Sequence, residues 1–182
     1  MVLLTLFLVC LFCAVGVGLM AALADFKAMT IPNSYSAMIL GAYGAGFVVL
    51  WLFGRADVLG PLAGHLLSGA LVFVITLLLF IAKGIGAGDS KLATAFAVWV
   101  GLKGLMPFLF YMALIGGALG LWALVLARWK PFKAPKEGGW IARAQAGERA
   151  VPYGIAIVGG ALVSFVKIGY IGTEVFASFL VS

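Results

Sequence analysis

Of the six acidic residues in this 182-residue chain, Asp25 and Asp89 stand at the ends of strongly apolar runs. Two carboxylates facing each other across a water can cut a peptide bond by acid–base chemistry. One takes a proton from the water, and the other protonates the carbonyl oxygen and then the leaving amine. That apparatus needs no metal, cofactor or covalent nucleophile. Taken singly, each aspartate has a plainer use: Asp89 suits a helix N-cap, and Asp25 can pair with Lys27 or another nearby cation. Of the other acids, Asp57 and Glu174 fall on the opposite side of the bilayer in the topology read below, and Glu137 and Glu148 fall in a basic loop.

Asp89 closes the stretch KGIGAGDSKL, Lys83 to Leu92, in which Gly84, Gly86 and Gly88 alternate with other residues. Glycines there remove side chains from the approach to the carboxylate and permit backbone geometries that other residues resist, so an extended substrate can lie beside it. A nucleotide-phosphate loop is a poor rival. The third glycine of G-x-G-x-x-G would fall at Asp89, no strand precedes the stretch, and no P-loop lysine pattern follows.

The elements that must hold these residues are membrane helices. Hydrophobic residues make up 65% of the chain and charged ones 10%, with a mean hydropathy of +1.22, outside the range of soluble domains. A bilayer core of about 30 Å takes roughly 20 apolar residues per helix. The apolar runs are Val2 to Ala24, Ser34 to Phe53, Val58 to Ala82, Leu92 to Met106, Pro107 to Ala127 and Pro152 to about Tyr170. The expected fold is therefore an all-α integral membrane protein of about six transmembrane helices in a single domain over 1–182. Ala22-Leu23-Ala24 imitates a signal-peptidase site, but the run before it has no basic start and is too long, so it is read as a retained helix.

Of the 12 Lys and Arg residues, one side of this topology collects Lys27, Lys83, Lys91, Arg128, Lys130, Lys133, Lys136, Arg143 and Arg149. Only Arg55, Lys103 and Lys167 fall opposite. The positive-inside rule makes the richer side cytoplasmic and places both termini outside it. The net charge of +6 then reads as topology and attraction to anionic lipid headgroups, with no nucleic-acid partner, because no basic patch is interleaved with exposed aromatics. Asp25 and Asp89 fall together on the cytoplasmic side. Asp89 starts a helix and Asp25 follows a helix end, so the dipoles favour the anion on Asp89 and the proton on Asp25.

The basic loop, about 128–151, contains Pro131, Pro135 and Gly138-Gly139 and reads as a solvated connector, with room for a short helix from Trp140 to Arg149. Pro152 fits the first turn of the last helix, and Tyr153 suits the headgroup level. Gly116 and Gly120 form a G-x-x-x-G that favours close helix packing. Cys10 and Cys13 read as small buried hydrophobes, His65 as structural, and Asn33 as a cap for the second helix after Ile31-Pro32 or a holder of the substrate backbone. Lys91 can bias the carboxylate pair or meet headgroups.

With these residues in hand, Gly86-Ala87-Gly88-Asp89 resembles the GxGD motif of intramembrane-type aspartyl proteases. DFKAMTIPN, from Asp25 to Asn33, is similar to the first-aspartate segment of type IV prepilin peptidases, with their D-x6-P-N spacing through Pro32 and Asn33. Lys91 continues their GxGDxK pattern, and Pro152-Tyr153-Gly154 resembles their late P-Y-G motif. The short chain is most similar to the Flp or tight-adherence (Tad) pilus branch. The resemblance implies a multi-pass enzyme of the bacterial inner membrane that faces the cytoplasm. There it removes the leader of a prepilin after a glycine, with Asp25 and Asp89 as the catalytic pair. Longer bifunctional members carry a cysteine-rich insertion after the first helix and also methylate the new N-terminus. Only about ten residues separate the first two helices here, so peptidase activity without methylation is expected.

Two other classes compete. A small proton-coupled transporter would use the aspartates as relay carboxylates, though such residues usually lie near the midplane of inverted repeats. A non-catalytic membrane component of pilus assembly would keep the fold alone.

Overall fold

The computed structural model describes residues 1–148, 150–172 and 179, and among these the ordered elements are all helical. Arg149 and Glu174, assigned sides of the membrane above, lie outside the described residues. In hydrocarbon no water satisfies backbone N–H and C=O groups, so apolar runs without barrel-type alternation become helices. These are α1 (Val2–Ala28), α2 (Asn33–Leu52), α3 (Leu62–Ile81), α4 (Ala87–Trp129), the short α5 (Trp140–Gln145) and α6 (Tyr153–Lys167). A 3-10 turn, Ala56–Val58, links α2 to α3. Four of the helical segments are long and apolar enough to cross a membrane, and α6 is a shorter apolar helix.

As one rod, the 43 residues of α4 would measure about 64 Å, twice the hydrocarbon thickness. Gly101 breaks it, with φ 60° and ψ −175°, a region of backbone space open essentially to glycine alone. The arms 87–100 and 102–129 thus supply the fourth and fifth of the expected apolar segments. The boundary expected at Met106-Pro107 is corrected to Gly101. Pro107 sits inside the second arm, where it removes one N–H from the helical ladder, whereas the reversal needs a φ that proline cannot adopt.

The break exposes backbone carbonyls, and His65 meets one of them. Its ring is buried, with Nδ1 2.7 Å from the Val98 carbonyl oxygen and Nε2 2.9 Å from that of Leu59. The Tyr170 hydroxyl also donates to Leu59, at 3.3 Å, and Lys103 Nζ donates to the Ile168 carbonyl at 3.5 Å. His65 is structural, as expected.

Lipid tails are as apolar as leucine, so helices associate through close packing and interhelical hydrogen bonds. The first arm of α4 is the central element. Phe96 lies over Gly18 of α1, Trp99 packs edge-on against Phe165 of α6 at 6.0 Å, and its indole N–H donates to the Ile39 carbonyl of α2 at 2.9 Å. On the second arm Gly116 faces the Tyr153 ring, but Gly120 has open space, so only half of the G-x-x-x-G packs. Leu71, Val74, Leu78, Phe110 and Leu114 point outward. Cys10 is partly buried against Gly46, whereas Cys13 is exposed on the helix surface, which corrects the expectation for the latter.

The basic loop is more than a solvated connector. Trp140 of α5 is buried, its ring 5.8 Å from that of Phe26 on α1, and its N–H donates to the Ala150 carbonyl at 3.1 Å. With Ala123, Leu126 and Ala144 it forms a second small core.

At position 101 an alanine Cβ would stand 2.9 Å from the His65 ring in a glycine-only conformation. Gly101→Ala is expected to cost at least about 1–3 kcal/mol, read as a lowered Tm in detergent. Gly120→Ala, with open space around it, should leave Tm unchanged or slightly raised.

Candidate active site

Asp25 lies in the last turn of α1, which continues beyond the apolar run to Ala28. Met29 then turns sharply at φ 52°, its N–H bonded to the Asp25 carbonyl, and Pro32 runs extended into α2. Only residues 29–32 separate the two helices, fewer than the ten or so expected. The side chain of Asp25 is 4% exposed. Its Oδ2 accepts the Gly154 N–H, at the start of α6, at 2.8 Å. A Cβ on Gly154 would stand 3.1 Å from that oxygen and 3.2 Å from Asp25 Cβ, so the missing side chain is what admits α6 this closely.

Asp89 lies in the first turn of α4, where its Oδ2 accepts the Gly86 N–H at 3.2 Å. A Cβ on Gly86 would meet the same oxygen at 2.7 Å, and one on Gly88 would meet Ile31 Cβ at 3.1 Å. A Cβ on Gly84 would make only an ordinary 3.4 Å contact, to the Leu79 carbonyl. Two of the three glycines therefore make room within the site, one for the carboxylate and one for the Ile31-Pro32 turn. The other oxygen of Asp89, Oδ1, is buried and has no hydrogen-bond partner among the described residues.

The two aspartates meet at one end of the bundle. Both line a cavity of about 590 Å³ whose walls include Lys83, Gly84, Ile85, Arg143 and Tyr153. Both also line a smaller one of about 280 Å³ beside Thr30, Ile31 and Gly88. They lie within electrostatic reach of each other. The dipole of the α1 C-terminus, from which an asymmetry is expected, is offset at Asp25, because each carboxylate accepts a hydrogen bond from the N-terminal end of a helix, α4 for Asp89 and α6 for Asp25. An acid at the end of its own helix can still cap a different one.

Lys91 does not turn toward the pair; its Nζ donates to Asn33 Oδ1 at 2.9 Å, tying the start of α4 to the start of α2. Asn33 is the first residue of α2 and makes no capping bond; Pro32 holds the N-cap position. Pro152 is buried at the N-cap of α6, and Tyr153 packs its ring on Gly116 while lining the larger cavity. Sequence reasoning missed Met29, Lys83 and Arg143 as cavity residues. Lys83 begins the glycine stretch and was open to notice. Arg143 reaches the site only because α5 folds beneath it, where it pairs with Glu148 at 2.7 Å. Also unforeseen, the hydroxyls of Ser90 and Thr76 lie 2.8 Å apart and pin α4 to α3 beside Asp89. Among the described residues no group of three or more His, Cys, Asp or Glu is placed to hold a metal ion.

Residues 4–121, both aspartates included, match the model of the type IV leader peptidase family. The prepilin leader peptidase/N-methyltransferase of Burkholderia pseudomallei is 34% identical over 119 residues, covering 62% of this chain and 37% of the relative. That of Aeromonas hydrophila is 32% identical over 120 residues, 63% of this chain and 39% of its own length. That of Xanthomonas campestris is 40% identical over 47 residues, 25% and 16% of the two chains. The chain thus spans at most 39% of these relatives' length. No solved structure matches it significantly. The Pro152-Tyr153-Gly154 segment lies beyond the family match, yet it joins the matched part directly through the Gly154 to Asp25 hydrogen bond. By the match over most of its length, and with the two matched aspartates brought to one cavity, this chain belongs to the type IV leader peptidase family.

Proposed function

We propose that this protein is an aspartyl endopeptidase that removes the leader of a type IV prepilin, with Asp25 and Asp89 as the catalytic pair. The observation that carries the reading is that two acids far apart in the chain line the same cavities, one of them with a buried oxygen that has no hydrogen-bond partner among the described residues. The family match and the relatives' names support the substrate class.

In the reaction the pair holds one proton. The ionised carboxylate takes a proton from a water as its oxygen attacks the scissile carbonyl carbon, and the protonated carboxyl gives its proton to the carbonyl oxygen. The tetrahedral intermediate then collapses: the C–N bond breaks, the amine takes a proton from one carboxyl of the pair, and a hydroxyl of the intermediate returns its proton to the other, restoring the singly protonated pair. Asp25, with Oδ2 held by Gly154, suits the ionised member, and Asp89, with Oδ1 lacking a hydrogen-bond partner among the described residues, suits the protonated one. This assignment reverses the one drawn from chain order.

The site faces the cytoplasm of a bacterium across its inner membrane, as the distribution of Lys and Arg suggests. Prepilins of the Flp or Tad type are the substrates, in keeping with a compact chain in which residues 29–32 alone join α1 to α2. The same short link supports cleavage without N-methylation.

Co-expression with a Flp-type prepilin should show leader removal by wild type. Asp25→Asn and Asp89→Asn should each lower it at least about 100-fold while the protein still folds; unimpaired cleavage in either would defeat the mechanism. Loss of a proton or solute flux in the same variants, without any peptidase activity in wild type, would favour a transporter. Gly154→Ala, which puts a methyl 3.1 Å from Asp25 Oδ2, should reduce kcat about 10- to 100-fold by misplacing the carboxylate, with helix content preserved. Purified protein given a labelled methyl donor should leave the cleaved pilin unlabelled.

A further inference from the structure

Tyr153 opens α6 one residue before Gly154, whose N–H holds Asp25 Oδ2 at 2.8 Å. It stands where two cavities meet, lining both that of the aspartates and a smaller, largely apolar one of about 160 Å³ walled by α3 and the second arm of α4. Gly116 fixes its ring: a Cβ there would meet Cε2, Cζ and the hydroxyl oxygen of Tyr153, each at 2.8 Å. Asp89 lies within electrostatic reach. A tyrosine drawn out of bulk solvent usually finds a partner for its hydroxyl, yet among the described residues the hydroxyl of Tyr153 has none. The phenol is a donor held between the two acids, and its acceptor must come with whatever enters the cavity.

We propose that Tyr153 is a further catalytic residue, its hydroxyl donating a hydrogen bond to the scissile carbonyl oxygen as negative charge builds there. The inference rests on the peptidase reading above. When water attacks the carbonyl carbon, the π pair of the C=O bond moves onto the oxygen, which needs stabilising until the protonated acid delivers its proton. The phenol shares that oxygen and keeps its own proton throughout, so the proton count of the carboxylate pair is unchanged. Two other donors line the cavity and serve this purpose less well. Lys83 is exposed on the non-helical segment 82–86, and Arg143 is engaged by Glu148 at 2.7 Å. A donor stabilises developing charge most when it is already fixed in place. Tyr153 is fixed by its contact with Gly116 and by the Gly154 bond to Asp25 in the same turn, so donor and carboxylate are positioned as one unit.

The test is Tyr153→Phe, which keeps the ring on Gly116 and removes the hydroxyl alone, assayed in detergent on a prepilin peptide. Its kcat should fall about 100-fold, with KM changed by less than about 3-fold and Tm unchanged. A peptide carrying a hydroxyethylene group in place of the scissile amide mimics the tetrahedral intermediate, and it should bind the variant at least about 10-fold more weakly than wild type. The pH profile of kcat should keep both limbs and lose only height, because the phenol does not titrate in the reaction. An unchanged kcat would overturn the proposal. So would a loss confined to KM, which would place the hydroxyl on the resting substrate, or displaced limbs of the pH profile, which would make Tyr153 act through the carboxylates. Unchanged affinity for the mimic would also overturn it, by leaving the residue a place in the scaffold alone. If wild type cuts nothing, or Asp25→Asn cuts like wild type, the peptidase reading itself fails and takes this inference with it.

Discussion

The hydrogen bond from the Gly154 N–H to Asp25 joins residues 129 positions apart, and the arrangement of the site depends on it. A buried carboxylate without donors is costly in a membrane protein. The first turn of a helix has N–H groups with no partner in their own helix, so the start of α6 answers the need of α1. The match requires that residue 154 carry no side chain. Once α6 is fixed to α1 at this end, the extensive packing of α4 on α6 brings Asp89 to the same place.

The opposite end solves a complementary problem. The break at Gly101 turns the chain back and leaves the first arm of α4 in the middle of the bundle, buried almost continuously from Leu92 to Gly101. Every neighbour grips it: α3 through Thr76 and His65, α2 through Trp99 and Ile39, α1 through Gly18, α6 through Phe165. A carboxylate mounted on so constrained an element has little freedom to drift from its partner.

How much of this was legible in the sequence varies with the kind of signal. Apolar runs and their charges carry element type and number, because the bilayer imposes length and composition directly. Spacing around Asp25 and Asp89 carried the pair itself. The break at Gly101 was missed because a single glycine among several looks alike in sequence, and its φ is set by His65 and the packing around it, whereas Pro107 is conspicuous but harmless. The dipole environment of Asp25 was only partly legible for a similar reason. Helix dipoles were assigned by chain order, but the helix whose terminus meets Asp25 is α6, which is distant in sequence. Loop composition alone hid the packing of Trp140 on Phe26, since proline, glycine and lysine reveal where a helix stops but not what covers it.

The position of the site follows from unequal helix lengths. The 27 residues of α1 span about 40 Å, some 10 Å more than the hydrocarbon, whereas the first arm of α4 spans only about 21 Å. A short central helix ringed by longer ones leaves a recess at one end of the bundle, floored by its N-terminus. The segment 82–86 crosses that recess without forming helix, with Lys83 at φ 59°, and its backbone polar groups need water or hydrogen-bond partners there. Hydrophobic mismatch of this kind draws the headgroup region inward over a short segment. With the bundle seated in a bilayer in this way, water would reach the two carboxylates without crossing lipid. Under the proposed function, a peptide drawn to the same recess would leave the environment that favours helix, and its backbone would open at the point where the acids stand.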